Sequence, residues 1–203
     1  MSMNDLAAVP LLGRLGSVGV LVGAVVLGCA GGSAAGGPAA SGSGGPGGSS
    51  TSVTAGAVAT DFAARDLEGK TVKLTDYLGK QAILIDFWAT YCEPCLAEMP
   101  SLRKVYEKHK AQGFVVLAVS VDGPETIADV PSFAKRNTMT FPVLLDEDSR
   151  ITSIYNPKKS APLSVLIDKA GKIVRIHEGY NPGDDAETET AVAKVLDQAA
   201  SAK

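Results

Sequence analysis

Two long apolar runs, separated by a segment with helical periodicity, are the clearest pattern in the chain. The runs cover residues 81–89 (QAILIDFWA) and 114–121 (FVVLAVSV) and are rich in β-branched and aromatic residues. Such continuous runs are typical of strands that are covered on both faces in a parallel sheet. The segment between them has helical spacing from Pro94 to about Lys110 and is followed by Gly113, a common helix terminator. We therefore predict a strand–helix–strand unit with a right-handed crossover.

Shorter periodic segments flank this unit on both sides. We predict strands at 62–65 and 71–74, helices at 125–136 and 149–155, a strand at 141–145, a β-hairpin formed by 163–168 and 172–178, and a final helix at 185–200. Because strands and helices alternate, the sequence predicts an α/β fold with a central mixed sheet flanked by helices.

The composition changes sharply near residue 56. Residues 30–56 carry no charge and hold nearly half of the chain's 22 glycines, so we predict that 29–56 form a flexible tether. Residues 57–203 are long enough for one hydrophobic core and are predicted to form a single domain. The net charge is only −3 and basic runs are absent, so we expect no nucleic-acid partner. We also expect the domain to be a monomer.

The first 28 residues have the pattern of an export signal. Arg14 precedes an apolar run at 15–27, which is too short to span a bilayer but suits a secretory signal. The ending Val26-Leu27-Gly28-Cys29 resembles a bacterial lipobox, which implies cleavage before Cys29 and lipidation of its sulfur. An uncleaved anchor and an ordinary signal with an incidental cysteine are the alternatives. We expect a lipid-anchored protein of the bacterial cell envelope that faces the periplasm or the exterior.

The other two of the three cysteines form a C-x-x-C motif where the first long strand meets the following helix. Cys92 is predicted to lie at the helix N-terminus, where free N–H groups and the helix dipole lower a thiol pKa, here from about 8.5 to about 7. We therefore predict that Cys92 is the attacking sulfur and that Cys95, one turn further along, resolves the mixed disulfide.

Two other interpretations of the pair are less favoured by the sequence. A structural zinc site normally needs four ligands, and His109 and His177 lack paired spacing, so we predict no metal site. A purely structural disulfide between Cys92 and Cys95 would close almost no loop and would add little stability. A redox couple is the remaining interpretation.

Longer motifs around the cysteines connect the chain to a known family. FWATYCEPC resembles the thioredoxin active-site sequence, and CLAEMP together with APLSVLIDKAGKIV is similar to the TlpA/ResA group of membrane-tethered thioredoxin-like proteins. The resemblance covers residues 57–200. It implies a thioredoxin fold with extra N-terminal strands and a helix–strand insertion, and a thiol-disulfide oxidoreductase that acts outside the cytoplasm.

The resemblance also implies roles for four residues outside the cysteine pair. Asp86 matches the buried aspartate of thioredoxins, and an ionised carboxylate in this apolar strand would be costly, so its pKa should be raised. Glu98 matches a glutamate with an acid/base role on the buried thiol, but either carboxylate could be a solvated side chain instead. Pro162 matches the cis-proline that faces the thiols, which would leave backbone groups of Ala161 free to pair with an extended substrate.

Four residues next to the cysteines are candidate substrate contacts. Trp88 and Tyr91 are expected to flank the site, with Tyr91 at a position where the family more often has tryptophan. Glu93 and Pro94 lie between the two cysteines. The charge of Glu93 should oppose a thiolate on Cys92, although an acidic residue in the first turn also favours the helix dipole.

These features together predict a reductase that keeps selected exported cysteines reduced, such as the haem-attachment thiols of apocytochrome c or a copper-site precursor. Its partners would be an exported protein disulfide and a membrane-embedded thiol electron donor, and it would need no cofactor beyond the Cys92–Cys95 disulfide. A thiol peroxidase and a tethered copper(I)-binding module are the alternative functions.

Overall fold

The computed structural model describes residues 53–201. The predicted signal segment, the lipidation site Cys29 and all but the last residues of the predicted tether lie outside the described residues. Within the described part of the chain, no helix is both long enough and apolar enough to cross a membrane.

One mixed sheet of seven strands forms the centre of the domain, in the order β2-β1-β5-β4-β3-β6-β7. The strands are β1 (Ala63–Asp66), β2 (Thr71–Lys73), β3 (Ala82–Trp88), β4 (Phe114–Ser120), β5 (Val143–Leu145), β6 (Leu163–Ile167) and β7 (Ile173–Glu178). β3, β4 and β5 run parallel, whereas the other neighbouring pairs are antiparallel. The predicted α/β fold, with its N-terminal strands and its helix–strand insertion, is confirmed.

Four α-helices cover the sheet: α1 (Glu93–His109), α2 (Val130–Arg136), α3 (Arg150–Tyr155) and α4 (Asp184–Ser201). The helix predicted at 125–136 is shorter than expected, because a 3₁₀ turn at Ile127–Asp129 precedes α2. Pro131 lies in the first turn of α2, where its missing N–H is harmless, whereas further inside a helix its ring would clash with the preceding turn. The proline therefore sets the start of α2.

Strand β3 lies in the middle of the sheet and contributes to two hydrophobic clusters. Its residues pair with β4 from Ala82↔Phe114 to Trp88↔Ser120, and all seven are buried. Since side chains alternate along a strand, Ile83, Ile85 and Phe87 pack toward α3 on what we call the α3 face. Ala82, Leu84 and Trp88 pack toward α1, α2 and α4 on the α1 face, and the same alternation places Asp86 there.

The folded domain begins before the boundary that composition predicts. Val53 packs against the cluster on the α3 face, and the Gly56 N–H donates to the Ile173 carbonyl at 2.7 Å. The Ile173 N–H in turn donates to the Ala57 carbonyl at 2.9 Å. Residues 53–56, predicted as tether, therefore belong to the domain. Their attachment is made largely through backbone groups, which composition does not reveal.

Candidate active site

The two cysteines lie at the point where β3 passes into α1. Cys92 is the N-cap of α1, and its Sγ accepts a hydrogen bond from the Cys95 N–H at 3.3 Å. The sulfurs form a disulfide with an S–S distance of 2.03 Å. Cys92 is 8% exposed and Cys95 is fully buried. The predicted order, an outer Cys92 above an inner Cys95 at the helix N-terminus, agrees with this geometry.

This placement determines which sulfur a partner can reach. On reduction, a Cys92 thiolate would lie at the end of α1 where unpaired N–H groups stabilise negative charge. Pro94 occupies the first turn of the helix without sacrificing a backbone hydrogen bond. Attack on an incoming disulfide can therefore start from Cys92, while Cys95 can reach only the sulfur of Cys92.

Asp86 is a fully buried carboxyl group on the α1 face. Neither of its oxygens has a hydrogen-bond partner among the described residues. It lies opposite Ser164 on β6 and Ala118 on β4. Burial raises the pKa of Asp86 well above its ordinary value, and repulsion from Glu98 adds to this effect. The group therefore holds its proton to a much higher pH than an exposed aspartate does.

Glu98 is a second buried carboxyl group, one helical turn beyond Cys95. It is 7% exposed, and its Oε2 atom has no partner among the described residues. Burial raises the pKa of Glu98 to about 7, with a further contribution from Asp184 and an opposing one from Arg175. Because this pKa lies near neutral pH, Glu98 can take up or release a proton next to the cysteine pair.

A cluster of charged residues from β7 and α4 lies behind Glu98, and the sequence analysis missed it. Arg175 donates to the Thr188 hydroxyl and to Glu187, each at 3.1 Å. His177 Nε2 lies 3.1 Å from the Asp184 carboxylate. The Asn181 N–H is the main cause of a lowered pKa for Asp184. Period-two alternation along β7 could have placed the arginine and the histidine on one face, but not against Glu98.

The peptide bond between Ala161 and Pro162 is cis, as predicted. Pro162 is buried, and its carbonyl accepts from the Gly179 N–H at 2.8 Å. Ala161 is half-buried and packs against the same cluster as Cys92 and Cys95. No hydrogen bond within the described part of the chain uses the backbone of Ala161, so its N–H and carbonyl are available to a partner.

The four predicted substrate contacts next to the cysteines do not share one environment. Tyr91 is 67% exposed, and Glu93 and Pro94 are also exposed. Trp88 is fully buried, and its ring packs against Phe133 of α2 with the ring centres 5.2 Å apart. As the last residue of β3, Trp88 points into the α1 face and packs in the same cluster as Cys92 and Cys95, so its contact with a substrate stays a prediction.

The chain is also similar in sequence to a known family and to known thiol-disulfide oxidoreductases. Residues 55–176 match the AhpC/TSA family. The chain is 38% identical over 135 residues to the thiol-disulfide oxidoreductase ResA of Geobacillus thermodenitrificans, which covers 66% of this chain and 75% of that relative.

Two solved structures of thiol-disulfide proteins also resemble this chain in fold. A protein of Chlorobium tepidum designated as a thiol:disulfide interchange protein DsbE superposes with a TM-score of 0.66 at 34% identity, covering 71% of this chain and 99% of that one. The thioredoxin domain of a Bacteroides vulgatus thiol-disulfide oxidoreductase superposes with a TM-score of 0.58 at 28% identity, covering 70% and 99%. The predicted thioredoxin-like resemblance is confirmed.

Proposed function

Because the chain belongs to the AhpC/TSA family and is a thiol-disulfide oxidoreductase like its ResA relatives, we propose that it reduces disulfides in exported proteins. One observation supports this exchange mechanism above the others. An outer cysteine caps α1, an inner cysteine lies directly beneath it, and two buried carboxyl groups with raised pKa values lie on the same face.

The reaction begins with the reduced dithiol. The Cys92 thiolate attacks one sulfur of the substrate disulfide, and the other substrate sulfur leaves as a thiolate that takes up a proton. Cys95 then transfers its proton to a buried carboxylate, that of Glu98 or, once it has ionised, that of Asp86, and attacks the Cys92 sulfur. The second substrate thiol is released, two electrons have passed to the substrate, and the Cys92–Cys95 disulfide seen in the structure is formed.

A protein substrate would bind next to the cysteines through exposed and backbone groups. The free N–H and carbonyl of Ala161 precede strand β6 directly, so an extended segment of the substrate could pair with them. The exposed side chains of Tyr91, Glu93 and Pro94 would contact the same segment. No cofactor other than the disulfide takes part in this proposed reaction.

The proposed location follows from the first residues of the sequence. We place the domain outside the cytoplasm, held at the membrane by a lipid on Cys29 and a short tether. A membrane-embedded thiol donor would return electrons to the disulfide. Haem-attachment thiols of apocytochromes and copper-site precursors are substrates of the required kind, since both need reduced cysteines in an oxidising compartment.

One measurement tests the proposed direction and another tests the exchange mechanism. The reduction potential of the purified full-length protein should be well below that of a strong oxidant, and a value near about −120 mV would instead identify a disulfide donor. In cells, Cys95→Ser should accumulate mixed disulfides with exported proteins. The double variant Cys92→Ser/Cys95→Ser is the matched control and should trap none.

The same preparations distinguish the alternative functions. A thiol peroxidase would consume hydrogen peroxide when supplied with a reductant, whereas the proposed reductase would not. A copper(I)-binding module would lose copper in Cys95→Ser without trapping any protein. Either result would contradict the proposed function.

A further inference from the structure

A buried aspartate at the end of β4 is bonded to the loop that carries Cys92. We propose that Asp122 is a positioning residue that holds Cys92 at the N-terminus of α1 through Thr90. The proposal rests on the thiol-disulfide exchange described above and assigns a role to a residue outside the C-x-x-C motif.

The contacts of Asp122 are made with one neighbouring loop and one neighbouring strand. The Thr90 N–H donates to Oδ2 at 3.0 Å, and the Thr90 hydroxyl donates to Oδ1 at 2.5 Å. The Ser120 hydroxyl, at the end of β4, donates to Oδ2 at 2.9 Å. Asp122 is 3% exposed. The carboxylate, itself almost fully buried, therefore accepts from three donors.

Thr90 lies in the middle of the loop between β3 and α1, two residues before Cys92. At the start of the loop, the Val121 N–H donates to the Trp88 carbonyl at 2.9 Å. At its end, the Cys92 N–H donates to the Ala89 carbonyl at 3.1 Å. The Asp122 carboxylate supplies the side-chain attachment between these two backbone bonds, so the whole path from the sheet to Cys92 is fixed.

The chemistry of this attachment favours a carboxylate. Every group that faces the two oxygens is a donor, and a carboxylate is acceptor-only. Hydrogen bonds to an ionised acceptor are also stronger than those between neutral groups. We find no salt bridge to Asp122 among the described residues, so its bonds are directed at the loop rather than at a cation.

The position of the Cys92 sulfur decides how far the helix end stabilises its thiolate. This stabilisation is confined to the first turn, and an in-line attack on a disulfide also depends on the direction from which the sulfur approaches. If the loop is released, Cys92 is held less firmly at the helix end. Loss of position therefore raises the thiol pKa of Cys92 and slows exchange. Loss of the negative charge of Asp122 with no movement of Cys92 would instead lower the thiol pKa, because one source of repulsion toward the thiolate would be gone.

The molecule contains a closely similar aspartate whose carboxylate bonds to a different element. Asp146 follows β5 and is 5% exposed. It accepts from the Ile151 N–H at 3.0 Å, the Thr152 N–H at 2.7 Å and the Thr152 hydroxyl at 2.5 Å. These hydrogen bonds hold the start of α3 and do not involve the loop that carries Cys92. Asp146→Asn is therefore a matched control for the structural cost of removing such a carboxylate.

The test compares Asp122→Asn with Asp146→Asn in the full-length protein. Both variants should lose unfolding stability, but only Asp122→Asn should slow reduction of a protein disulfide, by about tenfold, and raise the Cys92 thiol pKa. The pKa is measured from thiolate absorbance during a pH titration. Equal rates in the two variants, or a lowered Cys92 pKa in Asp122→Asn, would overturn the proposal.

A second pair of variants keeps the test valid if Asp122→Asn does not fold. Thr90→Val removes the hydroxyl and should slow exchange about threefold with a raised Cys92 pKa, whereas Thr90→Ser retains the hydroxyl and should behave as the original protein. Identical behaviour of the two Thr90 variants would refute the role of this bond. If the original protein itself reduced no disulfide, the proposed function would fail, and the Cys92 titration would still decide whether Asp122 positions the thiol.

Discussion

The two faces of the central sheet are built from the same strands but have different functions. On the α3 face, β3 presents Ile83, Ile85 and Phe87, all fully buried in an apolar cluster. On the α1 face, the same strand presents Asp86 among apolar neighbours, and α1 adds Glu98. On the α3 face β3 contributes only apolar side chains, whereas the α1 face also holds two carboxyl groups that lack hydrogen-bond partners on buried oxygens among the described residues.

The α1 face therefore loses folding stability in order to hold ionisable groups that the reaction can use. A buried polar group without a partner destabilises a fold, and an ionised one does so more strongly. A fold under selection for stability alone would place an apolar residue at position 86, as it does at positions 83, 85 and 87. The raised pKa values on the α1 face are therefore best understood as a property of the active site.

The largest effect should come from the apolar face. Ile85→Ala is expected to lower the free energy of unfolding by about 2 to 5 kcal/mol, because it removes buried methyl groups and leaves a cavity. Denaturant unfolding of the oxidised protein measures this loss. Ile85→Val is the graded control and should lose only about 0.5 to 1.5 kcal/mol. The rate of disulfide exchange under native conditions should stay within about twofold of the original. A much larger decrease would show that the two faces are not separable.

Asp86→Asn should have the opposite effects. At neutral pH it should exchange disulfides more slowly than the original protein and have a higher free energy of unfolding. The raised pKa of Asp86 means that the folded state holds the proton more tightly than the unfolded state. Its contribution to stability is therefore complete below its ordinary pKa and is lost as the pH rises through the folded-state pKa. Asparagine cannot ionise, so the variant should gain stability over the original protein as the pH increases.

Exchange by Asp86→Asn should slow by up to about a hundredfold if this group accepts the Cys95 proton, since general acid/base catalysis contributes about that much. Unfolding curves between pH 4 and pH 8 and exchange rates at one neutral pH provide the two measurements. A variant whose stability has the same pH dependence as the original would show that Asp86 is not a buried, proton-holding group.

The elements nearest the cysteines could be predicted because several local signals coincide there. The apolar run of β3, Pro94 in the first turn of α1 and the C-x-x-C spacing all point to one strand-to-helix junction, and the structure has that junction. The helical periodicity of 125–136 predicts a helix that Pro131 interrupts early, whereas the structure starts α2 next to Pro131, because proline fits a first turn.

The parts of the site that could not be predicted depend on register between distant segments. Arg175 approaches Glu98 because β7 pairs with β6 and α4 packs on α1. Asp122 reaches Thr90 across 32 positions of sequence because β4 lies beside β3. Trp88 is aromatic and adjacent to the motif, yet its direction depends on which face of β3 it occupies. None of these relations is encoded in a short window of residues.

The smallest and most specific effect concerns the pH dependence contributed by Glu98. Its pKa of about 7, raised from 4.5 mainly by burial, predicts that the exchange rate of the original protein changes with pH around neutrality. Glu98→Gln should remove the part of this inflection that Glu98 contributes, leave the part due to ionisation of the Cys92 thiol, and slow exchange about tenfold. The variant should also have a flatter stability profile between pH 4.5 and about 7, because the stability held by the protonated glutamate is lost as the pH rises through its folded-state pKa.

A control on the same helix separates this effect from a general change in charge. Glu107 is an exposed carboxylate of α1 that bonds to Thr140, and its pKa is lowered, chiefly by its hydrogen bond to Lys110. Glu107→Gln should therefore retain the inflection near neutral pH. Disulfide-exchange rates measured from pH 5 to pH 9 for Glu98→Gln and Glu107→Gln test this prediction. If the inflection is unchanged in Glu98→Gln and is reduced in Asp86→Asn, the proton of Cys95 passes to the carboxyl group in the strand and not to the one in the helix.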